Sequence, residues 1–168
     1  SVEYPTTVQV TDTPAAERHL SWGDDNRTLY YTSERSGHKN IYRATLGRKD
    51  DPNFANATAI KEEAMFDVKR GEKLTDATAE YSHPVVSPDG KQMAFVSNRN
   101  EINVMDLATR AVRRLTDGST YPGQDDEMVM VWSPDSRWLA TELMPAMHDP
   151  YADIALVEVA TGKVTNIT

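Results

Sequence analysis

The chain has no cysteine among its 168 residues. That excludes a disulfide framework, a thiolate nucleophile and a thiolate metal site, and it is compatible with either redox compartment. No apolar run approaches the roughly 18 residues of a membrane-spanning helix. The opening SVEYPTTVQV lacks the basic-then-apolar order of a signal peptide, so a soluble chain is expected, with or without a leader already removed. Clustered basic charge is scarce too. The formal net charge is −8, whereas phosphate neutralisation needs gathered Lys and Arg, so no nucleic-acid partner is expected. The densest basic run, Arg110-Ala111-Val112-Arg113-Arg114, reads as the solvated face of a strand. Also missing are a Gly-x-Ser-x-Gly nucleophile elbow, a phosphate loop and a His-Glu-x-x-His pair. With 39% hydrophobic and 26% charged residues, the chain has the composition of a globular domain with a packed core.

What is present is a repeat. In VSPDGKQMAFVSNRN, Val86 to Asn100, Pro88 presets φ for a turn, Asp89 can bond its own backbone and Gly90 accepts positive φ. The apolar run Met93-Ala94-Phe95-Val96 follows, as a strand buried on both faces should. The same order recurs in WSPDSRWLATEL from Trp132 and in WGDDNRTLYYTSER from Trp22. Second strands are expected at Asn40–Ala44, Ile102–Leu107 and Asp153–Val159. Closing signatures stand at Lys73-Leu74-Thr75-Asp76, Arg114-Leu115-Thr116-Asp117 and Asn166-Ile167-Thr168, and Gln9-Val10-Thr11-Asp12 precedes the first copy.

A unit of this size, with four short strands and an Asp-bearing turn, predicts an all-β protein. Its units are β-propeller blades of four antiparallel strands. Three blades are expected within a single partial propeller spanning 1–168. Blade 1 covers about 13–76 with an insertion at 47–72, blade 2 about 77–117 and blade 3 about 118–168. Within the insertion, Ala59 to Val68 fits either an imperfect amphipathic helix or an outer strand through Thr58-Ala59-Ile60, and the strand is favoured. Trp22, Val86 and Trp132 share one repeat position and are expected to pack between neighbouring blades. Closed propellers need about four to eight blades. Partners are therefore expected in the remaining propeller blades or a second copy of the chain.

Binding on a rigid scaffold concentrates on insertions, which directs attention to two loops. Asp125, Asp126 and Glu127 form an acidic cluster without the ligand spacing of a dedicated calcium loop. Met147, His148 and Tyr151 lie in the second long loop. Both are candidate binding loops for peptides or protein partners. His19 and His83 occupy equivalent positions, eight residues after Thr11 and Thr75, which suggests a structural place at the start of the first strand. Ser87 and Ser133 are accounted for by the turns they open. No catalytic residue, metal ligand or cofactor is assigned.

The repeats VSPDGKQMAFVSNRN and WSPDSRWLATEL resemble those of TolB-like propellers. The order of YYTSERSGHKNIYRATLGRKDDPNF, AFVSNRNEINVMDLATRAVRRLTDG and the acidic loop before WSPDSRWLA looks like the amino-terminal propeller of tricorn-like bacterial serine peptidases. That resemblance implies a non-catalytic segment acting as scaffold or peptide gate, with peptidase chemistry elsewhere in a parent protein of the periplasm or cell envelope. A TolB-like protein-interaction module of the envelope is the alternative. A propeller lyase or hydrolase with a central-channel site is the third, since related pectin-fragment lyases hold a divalent metal in a histidine-rich centre.

Overall fold

A computed structural model describes residues 9–48, 57–66, 79–118, 128–144 and 152–168. The described residues form twelve strands: β1 Glu17–Trp22, β2 Thr28–Ser33, β3 Asn40–Arg48, β4 Ala57–Ala64, β5 Tyr81–Val86, β6 Gln92–Ser97, β7 Glu101–Asp106, β8 Val112–Arg114, β9 Met130–Trp132, β10 Trp138–Leu143, β11 Asp153–Glu158 and β12 Val164–Asn166. They make three four-stranded antiparallel sheets in which strands pair in chain order, β1-β2-β3-β4, β5-β6-β7-β8 and β9-β10-β11-β12. First strands pack side by side, β1 on β5 and β5 on β9. The result is three blades of a partial propeller.

Local chemistry explains why each sheet starts where it does. In the second turn, Ser87 Oγ donates to Asp89 Oδ1 at 2.7 Å and accepts from the Gln92 N–H at 3.0 Å. The Lys91 N–H donates to the same Asp89 oxygen at 3.1 Å. The third turn repeats this with Ser133, Asp135, Arg137 and Trp138. In the first, Asp25 accepts from the N–H groups of Arg27 and Thr28. The fourth turn residue has positive φ in every copy: Asn26 at 53°, Gly90 at 69° and Ser136 at 59°. Each turn thereby satisfies backbone donors that would otherwise be stranded between two strands.

The hydroxyl of Ser87 and the N–H of Lys91 hold the Asp89 carboxyl below its ordinary value. A depressed carboxylate contributes stability that is present above its unfolded value and lost as pH falls through the folded one. Asp89→Asn is therefore expected to flatten the fall in melting temperature below about pH 4 and to leave the neutral-pH slope unchanged. An acid limb as steep as wild type in melts taken across that range would refute the assignment.

The middle sheet is buried on both faces because its neighbours stack on both sides. Met93, Phe95 and Met105 turn toward the first sheet, where they meet Tyr30, Ile41, Met65 and Phe66. Ala94, Val96, Ile102 and Val104 turn toward the third, meeting Trp132, Leu139 and Val157. Side chains alternating across a strand separate these two sets. Phe66 and Tyr81 stack with ring centroids 3.9 Å apart, and Phe95 packs against both.

The turns also lock one blade to the next. The Asp89 N–H donates to Ser136 Oγ at 3.1 Å, and the Asp24 carboxylate lies directly against Gly90. Gly162, at φ 76°, seats the last hairpin of the third sheet on the second, since a Cβ there would come 2.7 Å from the Leu115 carbonyl oxygen.

The outer strand of the first sheet departs from the repeat. The strand that pairs with β3 is β4, inside the stretch the spacing marks as inserted and through the Thr58-Ala59-Ile60 favoured for an outer strand, while the closing signature is expected at 73–76. Residues 73–76 lie outside the described ones. Within the described part of the insertion the strand holds and the helix does not.

Candidate interaction surfaces

The first strands of the first two sheets carry matched irregularities. Their registers shift between Arg18 and Ser21 and between Ser82 and Val85. His19 and His83, at φ 51° and 54°, sit in these bulges, and their rings stack with centroids 3.7 Å apart. Thr32 Oγ1 is 3.2 Å from His19 Nδ1 and accepts from the His83 N–H at 3.3 Å. The equivalence of the two histidines is thus a seam between two blades. Among the described residues no group of three His, Cys, Asp or Glu is placed to hold a metal ion.

The same repeat position separates two tryptophans. Trp132 is 7% exposed, and its indole Nε1 donates to the Val85 carbonyl at 2.8 Å, so it packs between blades as its position predicts. Trp22 is 51% exposed. It pairs with Leu29, whose face carries Tyr31, Tyr42 and Ala44 and points away from the second sheet. Among the described residues, Val10 and Ile60 pack against that face and leave Trp22 exposed. The opposite end behaves in the same way: alternation puts Val129 and Val131 on the far side of β9 from Trp132, and the β10–β11–β12 register puts Ile154 and Ile167 with them. Of the six large apolar side chains that stay exposed among the described residues, Trp22, Val129, Val131, Ile154 and Ile167 lie on these two outward faces, and Leu20 lies in the β1 bulge.

The outward face of the first sheet also holds a charged cluster. Arg35 donates to Glu17 and Glu62, each at 3.1 Å, and to the Tyr31 hydroxyl at 2.8 Å. Tyr31 in turn donates to Glu62. The guanidinium lies 4.3 Å from the centre of the Tyr42 ring, a cation–π distance. Burial, with Glu62 beside it, pushes the Tyr31 phenol well above its usual value. Burial also works against the Glu62 carboxylate, but donation from Arg35 and Tyr31 outweighs it and holds Glu62 below the usual range. Replacing Arg35 by Leu leaves two partly desolvated carboxylates facing each other. The expected loss is about 1–3 kcal/mol, scaled down from fully buried pairs because the site is partly wet. Urea titration measures it, and a midpoint unchanged from wild type would show that water already screens the pair.

The basic run at Arg110 to Arg114 falls on β8 and the turn before it, with Arg113 and Arg114 exposed as expected for the solvated face of a strand. Arg110 pairs with Glu63 at 2.9 Å, Arg114 with Glu101 at 3.2 Å, and Arg113 donates to the Val159 carbonyl of the next blade. Ser87 and Ser133 hydroxyls are engaged in their turns, as above. The sequence-derived candidates Asp125, Asp126, Glu127, Met147, His148 and Tyr151 lie outside the described residues.

Three stacked four-stranded meanders, with first strands side by side and Asp-bearing turns at each start, define a β-propeller, here a partial one of three blades. No protein-family model matches the chain. It is 28% identical over 111 residues to the Tol-Pal system protein TolB of Francisella tularensis subsp. holarctica, which covers 63% of this chain and 20% of that protein. Among solved structures, TolB from Acinetobacter baumannii superposes with a TM-score of 0.57 at 21% identity, covering 89% of this chain and 32% of that one. An oligogalacturonate lyase from Vibrio parahaemolyticus gives 0.62 at 14% identity, covering 95% and 42%. The β-propeller domain of the Trilobed protease from Pyrococcus furiosus gives 0.50 at 16%, covering 91% and 43%. The fold is therefore that of TolB-like propellers, and the chain spans about a fifth of the length of the curated relatives it matches.

Proposed function

We propose that the chain is a protein-interaction module of the bacterial cell envelope, on the periplasmic side. Its outward faces take up further blades of the same repeat, or a second copy, and the resulting ring presents its loops to peptides or protein partners. The observation that carries this is the placement of Trp22, Val129, Val131, Ile154 and Ile167, five of the six large apolar side chains exposed among the described residues, on the two outward sheet faces. Isolated apolar residues are ordinary on a surface, but two sets gathered on opposite faces of a stack mark association sites. The blade–blade contact already present supplies the template, in which the Trp132 indole of the third sheet donates to the Val85 carbonyl of the second. Likeness to TolB supports the envelope setting.

A second reading is a propeller segment of a tricorn-like peptidase that guides peptides to a catalytic region elsewhere. The fold likeness to the Trilobed protease propeller and the resemblance of the first two repeats favour it. The complete reading frame separates the two, because a peptidase region is either encoded with the propeller or is not. For the association itself the test is sedimentation equilibrium of this chain beside its Trp22→Glu and Val131→Glu variants. Mass that rises with concentration in the wild type and falls to the monomer in each variant is expected. A wild-type chain that stays a folded monomer throughout overturns the reading.

A further inference from the structure

The outer ends of the first two blades do not match in length. β4 spans Ala57–Ala64 and pairs with β3 over its whole course. The corresponding strand of the second sheet, β8, has only three residues, Val112–Arg114. Among the described residues the second sheet has no strand as long as β3 or β4 to run beside this ribbon. A cleft of about 320 Å³ opens there, lined by Arg43, Thr45 and Gly47 of β3 and by Ile60, Lys61 and Glu63 of β4. Arg43 lies opposite Glu63, and Thr45 opposite Lys61, so these four side chains share one face. Gly47 contributes no side chain to the lining.

The cleft is unlike the rest of the molecule in charge. The chain as a whole is formally −8, but here, among the described residues, three cations share one carboxylate. Glu63 Oε1 is contacted by Arg43 and, at 2.9 Å, by Arg110, and Lys61 stands exposed beside them. Arg43 Nε is buried without a hydrogen-bond acceptor among the described residues. An unsatisfied guanidinium N–H is expensive to bury, and a carboxylate is its geometrically matched partner. Most of the lining surface is apolar, from Ile60 and the carbon stems of the charged side chains, with the charged ends at its edge, and the cleft is half open to solvent. That suits one charged group on an extended chain better than an enclosed apolar small molecule.

We propose that this cleft binds a carboxylate presented by a peptide, either an acidic side chain or a C-terminus, through Arg43 and Lys61. The proposal rests on the interaction-module reading for its partner class and supplies a recognition chemistry for it. Opposing charge brings the segment in, and Thr45 and the backbone at Gly47 lie in reach of its main chain.

The test uses three short peptides and amide chemical shifts of the whole chain. One is acetyl-Ala-Glu-Ala-amide, one acetyl-Ala-Gln-Ala with a free C-terminus, and one acetyl-Ala-Gln-Ala-amide, which carries no carboxylate. Saturable shifts at the Thr45, Gly47 and Lys61 amides are expected from at least one of the first two and not from the third, and the responsive one identifies the source of the carboxylate. Lys61→Glu should weaken that binding about tenfold or more, the value of roughly one favourable charge contact, with an unchanged melting temperature because the side chain is exposed. Equal shifts from the neutral peptide, no shifts from any, or unaltered affinity in Lys61→Glu would each overturn the site. Lys61 lies on neither outward apolar face. Loss of peptide binding with self-association intact therefore removes the cleft alone, and loss of self-association with peptide binding intact removes the module reading alone.

Discussion

Trp132→Ala is expected to destabilise the chain by about 3–5 kcal/mol, the usual cost of emptying an aromatic site in a packed core. The indole is 7% exposed, packs with Leu139 and Val157 of its own sheet and with Val96 and Val104 of the second, and donates to Val85. Truncation removes that packing and leaves a carbonyl without its donor, so two penalties add. For a chain of this size the melting temperature should drop by roughly 10 °C or more. Trp22→Ala is the matched control. It removes the same side chain from the same repeat position, but one that is half exposed, and should cost no more than about 1 kcal/mol. Equal losses for the two tryptophans in calorimetric melts would contradict the inter-blade role given to Trp132.

The second large effect belongs to the other seam. Phe95 is fully buried and holds both Phe66, which follows β4 in the first blade, and Tyr81, which opens the second. Phe95→Ala should also cost about 3–5 kcal/mol. Phe95→Leu keeps most of the volume and should cost under about 1.5 kcal/mol. The gap between the two variants measures what the aromatic cluster contributes. If both variants melt together, the cluster is loosely packed and the assignment fails.

The parts of this fold legible in the sequence are those set by neighbouring residues. Ser-Pro-Asp-Gly at 87–90 and Ser-Pro-Asp-Ser at 133–136 name their turns because hydroxyl, ring and carboxylate act within five residues. The doubly buried strand at Met93 to Val96 was likewise visible in its unbroken apolar run. In blade 1 the stretch from Ala59 fits a helical stripe or an outer strand by pattern alone, and the pairing of β4 with β3 is decided by tertiary contact. Trp22 and Trp132 look alike in sequence and differ in exposure, 51% against 7%, which tertiary contact decides. The cleft at Arg43 and Lys61 left no local signal at all, since it depends on strand lengths in the second sheet, whose β8 lies some fifty residues further along.

The two-sided burial of the middle sheet has a kinetic consequence. A stack of three sheets in which each touches only its neighbours behaves as a short row of coupled units, and a unit with two neighbours can open only by breaking two seams. The first and third sheets break one each. Amide hydrogen exchange should therefore be slowest in β6 and β7 and faster in β2 and β11, although all four are interior strands of their own sheets. Covering the outward faces would erase that gradient, so its presence or absence in a given preparation reports whether the row has been extended.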